Sequence, residues 1–265
     1  MEALKGGSLV AIGAHADDIE LHAGGIAAAW AQSGRPVHFV MTTNNMSGNL
    51  LPEGDPQGQP YALGPQQTQA IRQREQAQAA AVIGASLRHL NFPQRHYWTG
   101  QGRRALDFNA APHDPFVASS TRPPLLIAAQ KDEAIDEVAD LLVSLKPAAI
   151  LTQTITDIDP EHHATASLVW QAYQRRADDL RGATLYFWAP GTSSMAGMLR
   201  QNFDCIVPVS AEQFERKMRM LNCHASQMTA RRLEMAQRRA RYWGAEVGVE
   251  FAEPLTTVLQ GGFRW

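Results

Sequence analysis

In this chain of 265 residues, the side chains best equipped for chemistry fall into two short clusters. The first is Ala14-His15-Ala16-Asp17-Asp18-Ile19-Glu20, at the end of an apolar run. His15 and Asp18, three positions apart on a turn, can offer a nitrogen and an oxygen to one ion. That mixture suits zinc or another borderline divalent metal. Asp17 projects in a different direction, which leaves a carboxylate beside the metal. A carboxylate so placed can take a proton from a water whose pKa the metal has lowered. Taken alone, the cluster also reads as a capped turn whose aspartates are satisfied locally.

The second cluster is Asp157-Ile158-Asp159-Pro160-Glu161-His162-His163. Asp159 and Pro160 suit the N-cap and first position of a helix, and Glu161 suits the positive end of its dipole. Capping leaves the adjacent histidines unexplained. Successive helical side chains diverge by about 100°, so one histidine of the pair is expected to face a given site. A catalytic zinc site commonly has three protein ligands and an open fourth position. His162 or His163 can complete the set begun by His15 and Asp18.

The elements that must position these clusters alternate in type. Leu9–Ile12, Val37–Met41, Leu87–Phe92, Ala148–Leu151 and Leu185–Trp188 read as strands, with Asp204–Val209 as a further one. Gly24–Gln32, Gln67–Ile83, Asp132–Leu145 and Ala164–Arg175 read as helices between them. This alternation predicts βαβ units and a parallel sheet covered on both faces. Ligands in such folds bind beyond the carboxyl ends of the strands, where both clusters lie. The segments 47–65 and 93–124 lack periodicity and are expected to wall a pocket or to be surface insertions. Ser210 and Gln213 form a capping box that opens a helix with Phe214, Met218, Leu221, Ala225 and Met228 as its apolar stripe. The excess of Lys and Arg between Ser210 and Tyr242 reads as a solvated helix face.

At this point a resemblance becomes specific. The run AHADDIELHAGG resembles the AHPDDxE…GG motif of the LmbE-like, or PIG-L-type, zinc-dependent N-deacetylases, and DPEHHATA resembles their HP(D/E)HxA motif. Arg72-Gln73-Arg74-Glu75 with the following Ala-rich stretch and Gly84, Leu90-Asn91-Phe92-Pro93, and Lys217…His224-Ala225-Ser226-Gln227 resemble further segments, in order. The resemblance implies a Rossmann-like three-layer α/β fold, here a single domain over 1–265 with a C-terminal helical extension. It also implies hydrolysis of an N-acetyl group from an amino sugar or an N-acetylglucosamine-containing conjugate. His15, Asp18 and His162 are then the metal ligands, for Zn2+ or another divalent ion such as Fe2+. Asp17 is the general base, and His163 lies outside the ligand set. Arg72 either holds the substrate or pairs with Glu75 on the helix surface.

Two departures from the family pattern stand out. Ala16 replaces a proline, which is expected to loosen the turn. Asp159 stands where the family has a histidine expected to stabilise the reaction's oxyanion, and an ionised aspartate there would repel it. His224, or His96 or His113 from the long segment, can supply a substitute donor. Asp159 can instead orient a neighbouring histidine. Otherwise the chain is a slow catalyst, since losing one oxyanion donor costs ~10²–10³ in turnover. A non-catalytic sugar- or metal-binding relative and an amidase for a different N-acyl group are the competing readings. Tyr97, Trp98 and Phe108 are candidates for stacking on a sugar or for anchoring their loop.

Composition sets the outer bounds. A formal charge of −2 argues against a dedicated nucleic-acid binder. The longest apolar stretches fall well short of the ~20 residues of a membrane span. Cys205 and Cys223 are too few for a disulfide framework and read as reduced core thiols. No GxGxxG follows the first strand and no GxSxG occurs, which removes dinucleotide-binding and serine-hydrolase readings. A cytoplasmic enzyme with a small-molecule substrate is expected, with a homo-oligomer left open.

Overall fold

The computed structural model describes residues 7–48, 50–51, 63–99, 102–105, 122–190 and 203–260. Its centre is a seven-stranded sheet in the order β3-β2-β1-β6-β7-β9-β8. Five adjacent strands, β1 (Ser8–Gly13), β2 (Val37–Thr43), β3 (Ser86–Phe92) at one edge, β6 (Pro147–Thr152) and β7 (Thr184–Trp188), run parallel. Toward the other edge β9 (Phe251–Gln260) pairs antiparallel with both β7 and the edge strand β8 (Cys205–Val209). A small hairpin, β4 (His96–Thr99) with β5 (Gly102–Ala105), stands apart from the sheet.

Alternation along β1 shows why the sheet must be covered on both sides. Val10 and Ile12 join one apolar cluster with Ile135, Val138 and Leu142 of α4 (Asp132–Leu145) and Leu168 and Val169 of α5 (Pro160–Arg175). Leu9 and Ala11 join the opposite cluster with Ile19, Ile26 and Trp30 of α1 (Asp18–Gln32), Ala79 and Ala80 of α2 (Pro65–Val82), and Met220 of α6 (Ala211–Cys223). The result is the three-layer α/β sandwich that the strand and helix pattern predicts. A short helix α3 (Leu125–Ala128) precedes α4, and α7 (Ala230–Glu246) follows α6.

Several boundaries differ from the sequence reading, each for a physical reason. Helix α1 starts at Asp18 and not at Gly24, because its first turn is polar yet buried. It also kinks at Ala23 (φ −137°, ψ 15°). The amides of Gly25 and Ile26 after the kink donate to the Glu253 carboxylate at 3.0 and 2.8 Å. Lys217 neutralises that carboxylate at 2.6 Å, with both side chains buried. A Cβ on Gly25 would stand 2.8 Å from Val209, which explains the second glycine of the GG pair as a packing requirement. The capping box of Ser210 and Gln213 is present, but the helix it opens ends at Cys223. Ala225 and Met228 therefore lie in the link to α7. Strand β9 has no counterpart in the sequence reading, since Glu253 and Pro254 interrupt its apolar pattern. Cys205 and Cys223 are free and only half-buried. No described helix is long and apolar enough to cross a membrane.

Removing one member of a buried ion pair leaves the other uncompensated, which typically costs ~3–5 kcal/mol. Lys217→Met is therefore expected to lower unfolding free energy by about that amount in urea titrations; a loss below ~1 kcal/mol would show that the pair does not support the kink.

Candidate active site

The strand order reverses direction of growth at β1 and β6, the switch point where a doubly wound sheet opens a crevice. The loop after β1 brings His15, Asp17 and Asp18 to this crevice. The loop after β6 and the first turn of α5 bring Asp157, Asp159, Glu161 and His162.

His15 Nδ1 and His162 Nε2 lie 3.1 Å apart. The Asp18 carboxylate is 3.7 Å from the first and 3.4 Å from the second. Donors at 2.0–2.2 Å from a tetrahedral zinc would be about 3.4 Å apart, so this set fits such an ion. Asp159 also falls within reach of the same two histidines as a possible third donor. Its oxygens are already engaged: Oδ1 caps α5 through the Glu161 amide at 2.8 Å, and Arg95 binds Oδ1 and Oδ2 at 2.9 and 3.3 Å. Asp18 Oδ2 accepts from the His15 amide and Gln153, each at 2.7 Å, which aims the other oxygen at His162.

The outward nitrogen of each imidazole is also held by a carboxylate. His15 Nε2 meets Glu161 at 2.7 Å, and His162 Nδ1 meets Asp157 at 3.0 Å. Such partners fix ring orientation and raise the basicity of ligating histidines. Burial opposes protonation of His15, but the Glu161 hydrogen bond and the Asp18 charge outweigh it, so its pKa is raised. The pKa of His162 is raised well above the ordinary value: burial opposes this, and Asp18 and Asp157 overcome it. Glu161 itself is 1% exposed and also accepts from the Arg95 amide at 2.5 Å. The sequence reading gave Glu161 only a dipole role and gave Asp157 none. The signal available was that a liganding histidine needs a second partner. His163, by contrast, is exposed and turned toward the Ile155 carbonyl at 2.8 Å.

Asp17 occupies a left-handed backbone conformation, φ 100° and ψ −21°. For a non-glycine residue this costs of order 1–3 kcal/mol and must be enforced by the surroundings. The enforcement is visible. The Ala16 amide donates to Asn45 Oδ1 and its carbonyl accepts from Arg72, both at 2.7 Å. The Asp17 amide reaches Gln76 at 3.3 Å, and Thr43 holds the Ala14 carbonyl at 2.6 Å. Ala16 thus ties the turn to Asn45 through an N–H donor that a proline would lack. Among the described residues the Asp17 oxygens accept no hydrogen bond; Arg72 and Arg232 stand 3.7 Å away. Burial raises the Asp17 pKa against the lowering pull of Arg72.

The remaining candidates take supporting positions. Arg72 is buried and gives its terminal nitrogens to the Ser47 and Ala16 carbonyls, at 2.6 and 2.7 Å. It is not a surface partner of Glu75, which instead binds the amide and hydroxyl of Ser226. His224 is sealed, 0% exposed, with Nε2 3.4 Å from Glu20. Burial opposes its protonation, yet the Glu20 charge leaves the pKa raised. Asp159 is pulled down to about 2: burial opposes this, and the charges of His15, His162 and Arg95 prevail. His96 lies on the β4–β5 hairpin with buried Tyr97. His113, Phe108 and most of 47–65 lie outside the described residues, as does the Trp98 side chain.

The family description PIG-L: GlcNAc-PI de-N-acetylase matches residues 10–173. No curated protein matches the chain significantly. Among solved structures, the conserved protein TT1542 from Thermus thermophilus superposes with a TM-score of 0.64 at 22% identity, covering 97% of this chain and 98% of that one. GalB, the 4-carboxy-2-hydroxymuconate hydratase from Pseudomonas putida, gives 0.69 at 17%, covering 98% and 99%. The N,N'-diacetylchitobiose deacetylase from Pyrococcus horikoshii gives 0.65 at 16%, covering 95% and 83%. The likeness is one of fold, shared by a hydratase and a deacetylase.

A metal entering this site must displace the protons that the raised histidine pKa values retain. Apparent zinc affinity is expected to fall as pH drops through those values, by up to about tenfold per pH unit for each proton displaced. Glu161→Gln and Asp157→Asn are each expected to weaken zinc binding ~10–100-fold in competition titrations; unchanged affinity in both would refute the ligand assignment of the two rings.

Proposed function

The chain belongs to the PIG-L, or LmbE-like, family, and from that premise we propose that it is a metal-dependent hydrolase that removes an N-acetyl group from an amino sugar or an N-acetylglucosamine-containing conjugate. The observation that carries this reading is Asp17: a buried carboxylate in an enforced left-handed turn, beside the histidine–aspartate cluster, with no hydrogen bond to its oxygens among the described residues. His15, Asp18 and His162 would hold the ion, Zn2+ in the first instance and Fe2+ as an alternative. A divalent ion in that place supplies Lewis-acid polarisation of the acyl carbonyl and a more acidic water.

The protein's own groups supply the rest. Asp17 takes the proton of the attacking water and returns it to the nitrogen of the departing amine. Its pKa, raised by burial, brings it nearer to the range in which a carboxylate can do both. Arg72 keeps Asp17 in place through the Ala16 carbonyl. Asp159 is not a bare anion facing the substrate. It holds Arg95 by a two-point contact, the geometry in which a guanidinium is best oriented, so a positive group stands beside the cluster where the family pattern has a histidine. This pairing favours a catalyst over a non-catalytic relative.

Asp17→Asn should retain metal and lose ~10²–10⁴ in the rate of acetate release from an N-acetyl amino-sugar panel. Arg95→Met should also retain metal and lose ~10²–10³. Bound metal with no acetate released from any member of a broad panel, other N-acyl amines included, would contradict the reading.

A further inference from the structure

Arg239, on α7 and beyond the residues matched to the family, carries a charge for which the described residues provide no carboxylate partner. Other enclosed cations have partners that offset or bind the charge: Lys217 pairs with Glu253, Arg95 with Asp159, and the terminal nitrogens of Arg72 with two backbone carbonyls near Asp17. Among the described residues, the sole hydrogen bond of Arg239 is to His22 Nδ1, at 3.1 Å. A guanidinium can only donate, so this His22 nitrogen accepts and the imidazole is neutral. The His22 ring stacks on Trp188 with centroids 6.0 Å apart and planes 7° from parallel, which fixes the pair in place.

The location is as informative as the pairing. His22 follows Asp18 by four residues on the first stretch of α1, so the two share a face one turn apart. Arg239 lies on the far side of His22 and within the field of Asp157, the carboxylate that holds His162. Burial pulls its pKa down to about 10, yet the residue is only half-buried. Asp157, whose field reaches Arg239, is already bonded to His162. An enclosed cation without a counter-charge is costly in the free protein, and an incoming anion relieves that cost.

We propose that Arg239 and His22 form an anion-binding subsite beside the metal ligands, and that the substrate carries an acidic group, carboxylate or phosphate, in addition to its reacting amide. The amino-sugar part of this statement rests on the function proposed above; the anion part rests on Arg239 alone.

The test is calorimetric, in the metal-loaded Asp17→Asn protein, where turnover is suppressed. The probes are N-acetylglucosamine with a carboxymethyl aglycone, the methyl ester of that compound, and N-acetylglucosamine 1-phosphate. At least one acidic probe should bind about tenfold or more tighter than the ester, as expected for a charge-assisted contact. Adding Arg239→Gln should bring the probes within about threefold of one another without changing ester affinity, and Arg239→Lys should restore part of the preference. Equal binding of acid and ester with Arg239 present, or a preference that survives Arg239→Gln, overturns the proposal. If no sugar binds, the amino-sugar reading fails by itself and inorganic phosphate tests the subsite. Phosphate held by the metal is common to both proteins, so a tenfold loss on Arg239→Gln supports the subsite and identical isotherms overturn it. Thermal unfolding gives an independent readout: Arg239→Gln should leave Tm unchanged or higher, whereas an arginine with a purely structural role would lower it.

Discussion

The hydrogen bond between His15 and Glu161 joins two distant parts of the chain at the point where the sheet changes its direction of growth. On one side is the loop leaving β1; on the other is the first turn of α5, which follows β6. Neither segment makes a site alone. Once the bond forms, the other nitrogen of His15 faces His162, Asp157 sets the second ring, and Asp18 closes the group from below. A carboxylate that is 1% exposed can sit there because it is satisfied from several directions, by His15, the Arg95 amide and Gln94. The same network seats Arg95 against Asp159. The geometry of the candidate site is thus a consequence of satisfying buried charge at the switch point.

The C-terminal third makes that arrangement rigid and adds to it. Glu253 caps the second part of α1 after its kink, and Lys217 balances Glu253. Ser226 anchors Glu75 on α2, the helix that also carries Arg72 and Gln76. The segment in which basic residues predominate is therefore not simply a solvated face. Lys217 is buried, Arg232 stands 3.7 Å from Asp17, and Arg239 contacts His22. Some of its charges are directed at the layer that holds the site.

Much of this was legible from the residues. Short apolar runs separated by helical stretches identify the parallel strands, and the polar clusters after the first and fourth of them point to one crevice. The proposed ligand set and base rest on donor chemistry, which leaves His162 or His163 open, and on the motif resemblance, which selects His162 and Asp17. Long-range polar pairing is what the sequence does not disclose. Nothing local in Glu161 announces that it binds His15, nor in Arg95 that Asp159 claims it, because those partners are far apart in the chain. The first turn of α1 was missed because its residues are polar, which ordinarily signals a surface, though here they are buried by the site. Strand β9 was missed because its interior glutamate serves a distant helix. Ala16 was misread for a related reason: its value lies in an amide whose acceptor, Asn45, is on another loop.

The central claim is that His15, Asp18 and His162 hold a single metal ion while Asp159 stays with Arg95. The most direct measurement is an anomalous-difference map at the zinc edge from crystals of the metal-loaded protein. One peak is expected about 2.0–2.2 Å from His15 Nδ1, His162 Nε2 and the nearer Asp18 oxygen, with the Arg95–Asp159 contact intact. A peak bound by Asp159 in place of Asp18, or none between the two histidines, would contradict the claim.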